Sequence, residues 1–137
     1  MKLFTRMLML PFLVLLFSGV ALGQDTPEPT QQEPPKDVDL SIKKIGNVWK
    51  VVITGTTETD VHVTEGQKVI FHAEGSDVYI QFDNDKLFGG HTKTIKNGKQ
   101  LTLGVGKVAK GIYTYAAFCS GPGVFAEGGS PPKIIVD

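Results

Sequence analysis

Residues 111–132 read "GIYTYAAFCSGPGVFAEGGSPP", and two different patterns meet at Cys119. Up to the cysteine, apolar and polar or small side chains alternate with a period of two, the mark of a half-buried strand; Ile112 or Tyr113 faces inward depending on register. Beyond it the chain turns rich in glycine and proline, the composition of a loop. The cysteine at this junction is the only one among the 137 residues.

Outward from this stretch the period stays at two. "KIIVD" closes the chain, while "QLTLGV", "DVYIQF", "QKVIFHA" and "VWKVVITG" precede it, and Val38, Leu40 and Ile42 alternate with polar residues. In "DVYIQF" the alternation groups Val78, Ile80 and Phe82, and in "QKVIFHA" it groups Val69 and Phe71. Glu65-Gly66 and Asn97-Gly98 fall between runs, where a reversal needs positive φ. No segment carries the 3.6-residue period of an amphipathic helix. The 16 glycines sit at strand ends and form no repeat. Seven or eight short strands with turn signals between them predict an all-β fold, an antiparallel Greek-key β-sandwich.

The first 23 residues have the form of a secretory signal: Lys2 and Arg6, an apolar core from Met7 to Phe17, then small residues ending at Gly23. A membrane anchor is the rival reading, but Pro11 interrupts the core, which is shorter than the ~20 residues a spanning helix needs. No cysteine near the cut could carry a lipid. Residues 24–36, "QDTPEPTQQEPPK", hold four prolines and no aliphatic or aromatic side chain, and are expected to be a disordered, solvated tether. The folded unit is expected over residues 37–137, in a periplasmic or secreted protein.

The whole chain has 14 basic and 14 acidic side chains; loss of Lys2 and Arg6 leaves 12 against 14, a net charge of −2. Such a surface attracts neither nucleic acid nor an anionic membrane. A single cysteine allows no internal disulfide, so the core alone must hold the fold. A monomer is expected, with an unknown protein or small ligand as partner.

The order "GQKVIFHA", "VYIQF", "KVAKGIYTYAAFC", "PPKIIVD" resembles the cupredoxin family, the plastocyanin- and azurin-like blue copper proteins, over residues 61 to 137. Its most specific element is the pattern from Gly111 to Cys119. The resemblance implies a sandwich with one copper ion at one end, held by a thiolate, two imidazoles and a weak axial thioether. It puts Cys119 in the thiolate position and Val78 in that of the first imidazole. The second imidazole position falls among Gly121, Pro122, Gly123 and Val124, and the axial methionine would fall near Ala126 or Glu127. One ligand in four remains, and Met1, Met7 and Met9 leave with the signal, so the chain reads as a divergent member lacking most copper ligands.

Other donors are few. By alternation His62 points to solvent, His72 outward or into the next turn, and His91 lies on a loop sent to the end opposite Cys119. A rebuilt metal site from His91, Cys119 and Glu127 would need that loop to fold back. Cys119 reads as a small core hydrophobe, Phe125 as a plug for the end of the sandwich where the family holds copper, and Glu127 as a partner for turn N–H groups. "DNDK", residues 83–86, has the wrong spacing for a calcium loop. No nucleophile elbow, paired histidines or phosphate loop is present, so no enzyme is expected. These readings converge on an exported, non-catalytic binding or accessory domain without a cofactor, acting through loop-end residues near Val78, Cys119, Phe125 and Glu127. The alternative is a small copper-binding or electron-transfer protein with a non-standard ligand set.

Overall fold

A computed structural model describes residues 33–129 and 131–137. The expected signal (1–23) and most of the expected tether lie outside the described residues. The described chain contains ten strands and no helix: β1 (Val38–Ile45), β2 (Val48–Ile53), β3 (Val61–Val63), β4 (Lys68–Ala73), β5 (Val78–Phe82), β6 (Thr92–Ile95), β7 (Gln100–Gly104), β8 (Gly111–Cys119), β9 (Val124–Phe125) and β10 (Lys133–Val136). One sheet runs β2-β1-β4-β7; the other runs β3-β10-β8-β5-β6, with β9 added beside β8.

Two expectations are corrected. The strands number ten rather than seven or eight, because "VHV" forms β3, "TKTI" forms β6 and the loop after Cys119 contributes the two-residue β9. The sheets are mixed rather than antiparallel: β1 pairs parallel with β4, and β3 parallel with β10. Parallel neighbours need a long crossover, and residues 46–67 and 64–132 supply it. Most sheet neighbours are distant in sequence, so the chain passes repeatedly between the sheets.

The alternation read from the sequence sets the core. Val78, Ile80 and Phe82 of β5 are buried between the sheets, as are Val69, Phe71 and Ala73 of β4 and Tyr115, Ala117 and Cys119 of β8. Phe71 meets Phe82 and Tyr115 edge-on at centroid distances of 6.2 and 6.0 Å, the arrangement ring quadrupoles favour. Among the described residues the buried apolar set runs from Leu40 to Val136. Of the two inward candidates at the start of β8, Tyr113 packs against the core while Ile112 is 65% exposed. The Tyr113 hydroxyl donates to the Ala109 carbonyl four residues back, fixing the corner through which the chain enters β8.

Phe125 is not a plug: it is exposed, and the buried loop residues lie at the other end of β5 and β8, beside Phe82 rather than Cys119. Leu87 and Phe88, in the loop after β5, are buried, and the Phe88 ring lies 4.9 Å from that of Phe82. Gly106 comes so close to this loop, its N–H donating to Leu87 O at 2.7 Å, that any Cβ there would lie 2.3 Å from Lys86 O. The expected turns stand where they were read: Gly66 and Gly98 have φ of 81° and 77°.

Glu127 acts through its backbone. Its N–H donates to Trp49 O at 2.7 Å and its carbonyl accepts from Val51 N–H at 2.8 Å, so one residue laces the free edge of β2 to the segment after β9. Its side chain is exposed and bonds no turn N–H group among the described residues, which corrects the expectation that it would.

Candidate binding face

Of the residues singled out in the sequence, Val78 of β5 and Cys119 of β8 share the inner face, while Phe125 of β9 and Glu127 after it are exposed. Val78 and Cys119 are register partners across these strands, and both are fully buried. Val124 pairs with Cys119 from the other side, so valines are its register partners on both neighbouring strands. Burial pushes the Cys119 thiol above its ordinary pKa, which keeps it protonated and poorly nucleophilic. Val78 and Cys119 are therefore interior residues and offer no loop-end surface.

Phe125 is 64% exposed, whereas Ala126 is buried. In a two-residue strand the following alanine takes the inward position, and the large ring is left outside against Phe118. Glu127 bonds only through its backbone, as described.

The histidines lie apart from the thiol. His62 Nδ1 is 2.9 Å from Asp137 and His72 Nε2 is 2.7 Å from Asp39. His91 Nδ1 contacts Phe82 O at 3.0 Å. Phe82 pairs with Tyr115, four residues before Cys119, a separation of about 13 Å at ~3.3 Å per residue. His91, Cys119 and Glu127 are thus not brought together. Among the described residues, no group of three or more His, Cys, Asp or Glu side chains could hold a metal ion.

The exposed face of the same strands carries a different constellation. Register places Thr94, Tyr79, Phe118 and Phe125 in one row across β6, β5, β8 and β9. Thr92, Gln81 and Ala116 form the next row. Tyr79 is 48% exposed and Phe118 half-buried, and the Phe118 and Phe125 rings meet at 59° with centroids 5.1 Å apart. A groove of about 240 Å³ runs between this aromatic row and the threonines of β6. A second, of about 330 Å³, lies beyond Phe125, against Glu127, Pro131 and Pro132. Phe125 forms the ridge between them.

Sequence reasoning named Phe125 and missed Tyr79 and Phe118. The signal was present: alternation that sends Val78 and Cys119 inward sends Tyr79 and Phe118 outward. What it lacks is the pairing that sets the two side by side.

No family model matches the chain, and no curated protein does. Among solved structures, the chain is similar to several variants of amicyanin, a cupredoxin. A reduced Cu(I) form of one point mutant at pH 4 is 15% identical with a TM-score of 0.46. A Cu(I) form of a second mutant and a reduced form of a third are each 16% identical with the same TM-score. In all three the match covers 77% of this chain and 87% of that chain. At this level nothing about the metal carries over.

Proposed function

We propose that the chain is an exported, cupredoxin-like domain that binds rather than catalyses and holds no type 1 copper. The supporting observation is the surroundings of Cys119. Its partner in register is Val78, which has no lone pair to give, and Val124 lies on its other side. Type 1 copper needs a thiolate and two imidazoles converging on one volume; here burial favours the protonated thiol, and the histidines bond elsewhere. The donor set does not fit the ion.

With the thiol end given over to hydrocarbon, recognition falls to the exterior. The row of Tyr79, Phe118 and Phe125 exposes apolar rings on a sheet face, and exposed apolar patches mark interaction sites. The domain is read as a monomeric accessory module, joined by its proline-rich segment to a place of action outside the cytoplasm.

Anaerobic titration of residues 24–137 with Cu(II), followed by absorbance and melting temperature, tests this reading. A colourless protein with an unchanged melting temperature is expected. A thiolate-to-copper charge-transfer band, lost in Cys119→Ala, would establish a copper carrier instead.

A further inference from the structure

We infer that the outer face of β6, β5, β8 and β9 binds a neutral oligosaccharide, stacked on the touching rings of Phe118 and Phe125. This rests on the reading of the domain as a binding module and names its ligand class.

The composition of the face narrows the ligand. Tyr79, Gln81, Thr92 and Thr94 supply three hydroxyls and one amide, and none of these groups bonds another described side chain. The two rows are uncharged. Lys93 is the one charged residue lining the groove; it belongs to neither row, pairs in register with the buried Ile80, and its Nζ lies near Gly90. Glu127 lies beyond the Phe125 ridge, outside the groove on the threonine side. An ionic ligand finds no counter-charge in the two rows. A purely apolar ligand would strip water from four polar side chains without replacing their hydrogen bonds, at about 1–3 kcal/mol for each buried group.

The exposed rings alone are small for the apolar centre of a contact with a second copy of the chain. Tyr79 and Phe125 are 48% and 64% exposed, and with aromatic side chains of 150–250 Å² they present roughly 200 Å² of accessible ring. A stable interface needs about 800 Å² from each partner.

A sugar meets both requirements. Its ring presents a face of C–H groups to an aromatic π-cloud, whose face is electronegative, while its hydroxyls both donate and accept, as do the threonine, tyrosine and glutamine side chains. The Phe118 and Phe125 rings, in contact with centroids 5.1 Å apart, together offer an apolar platform on which one pyranose can stack. From β6 to β9 the row crosses three strand spacings, about 14 Å, which suits a short run of linked sugars laid across the strands.

The test is a ¹H–¹⁵N titration of residues 24–137 with three neutral hexasaccharides: β-1,4-linked N-acetylglucosamine, β-1,3-glucan and α-1,4-glucan. A proline-rich peptide serves as the rival ligand. At least one sugar should bind with a Kd near ~1 mM or tighter, shifting the amides of Tyr79, Gln81, Thr92, Thr94 and Phe118. Phe125→Ala and the double variant Thr92→Val/Thr94→Val should each weaken binding about tenfold without lowering the melting temperature. The inference is overturned if no sugar shifts these amides at millimolar concentration, if shifts fall elsewhere, if both variants bind as the parent does, or if only the peptide occupies the row. Copper uptake at Cys119 with glycan binding intact would instead defeat the copper-free reading and leave this inference standing.

Discussion

Val78 and Cys119 face each other directly across β5 and β8, each with no accessible surface. A hydrocarbon side chain and a protonated thiol thus close this end of the sandwich by packing. Cys119→Ala removes the sulfur and leaves a small void, at about 1 kcal/mol. Cys119→Ser places a hydroxyl in the buried position of the thiol and is expected to cost about 1–3 kcal/mol more. Urea melts of the two variants check the order; a serine variant more stable than the alanine variant would mean that the sulfur occupies a polar site.

Phe88 and Phe125 are both loop-borne rings with opposite expected responses. Phe88 packs on Phe71 and Phe82 inside the core, so Phe88→Ala is expected to cost about 3–5 kcal/mol. Phe125 touches Phe118 from outside, and its removal should cost less than ~1 kcal/mol. Thermal melts compare them, and equal losses would restore Phe125 to the role of plug.

Asp77 carries a pH signature. The Asn97 N–H at 2.8 Å, followed by the Lys96 ammonium at 3.3 Å, holds its carboxyl below the ordinary carboxylate value. The folded pKa is the lower one, so the carboxylate contributes stability above ~4, the unfolded value, and that contribution is lost as pH falls through the folded pKa. Asp77→Asn should therefore be less stable than the parent at pH 7, with the gap closing in acid. Urea melts from neutral pH down to about pH 3 read this directly; a gap that widens in acid would refute it.

Gly106 is fixed by contact. Gly106→Ala would set a methyl group 2.3 Å from Lys86 O, whereas Gly104 has nothing within 4 Å of its ideal Cβ. The first change is expected to cost about 1–3 kcal/mol and Gly104→Ala less than ~0.5 kcal/mol, measured as melting temperatures. Parity between them would place the loop of Leu87 and Phe88 away from β7.

The alternation in "VYIQF" and "GIYTYAAFC" gave the inward set of β5 and β8 from sequence, because burial on one face imposes a period of two whatever the partner strand. Glu65-Gly66 and Asn97-Gly98 were legible for an equally local reason, since a reversal with positive φ needs glycine. Direction was not legible. Whether β1 runs parallel to β4 depends on a crossover, and no residue within either strand records it. Leu87 and Phe88 were passed over because a loop has no period to show which side chains turn inward. Phe125 was misplaced because hydrophobicity was taken for burial, while the smaller Ala126 occupies the inward position. The aromatic row stayed hidden for want of register: Tyr79 and Phe125 are 46 positions apart in the chain and share a face only once β5, β8 and β9 are paired.

The lacing of β2 by Glu127 gives the segment after β9 a guarding role. An unpaired strand invites its like from a neighbouring molecule, and two hydrogen bonds from one residue fill part of the vacancy that such polymerisation would use. Loosening this segment, as a cut beside Glu127 would do, is expected to leave that border of β2 open to pairing with a neighbouring molecule.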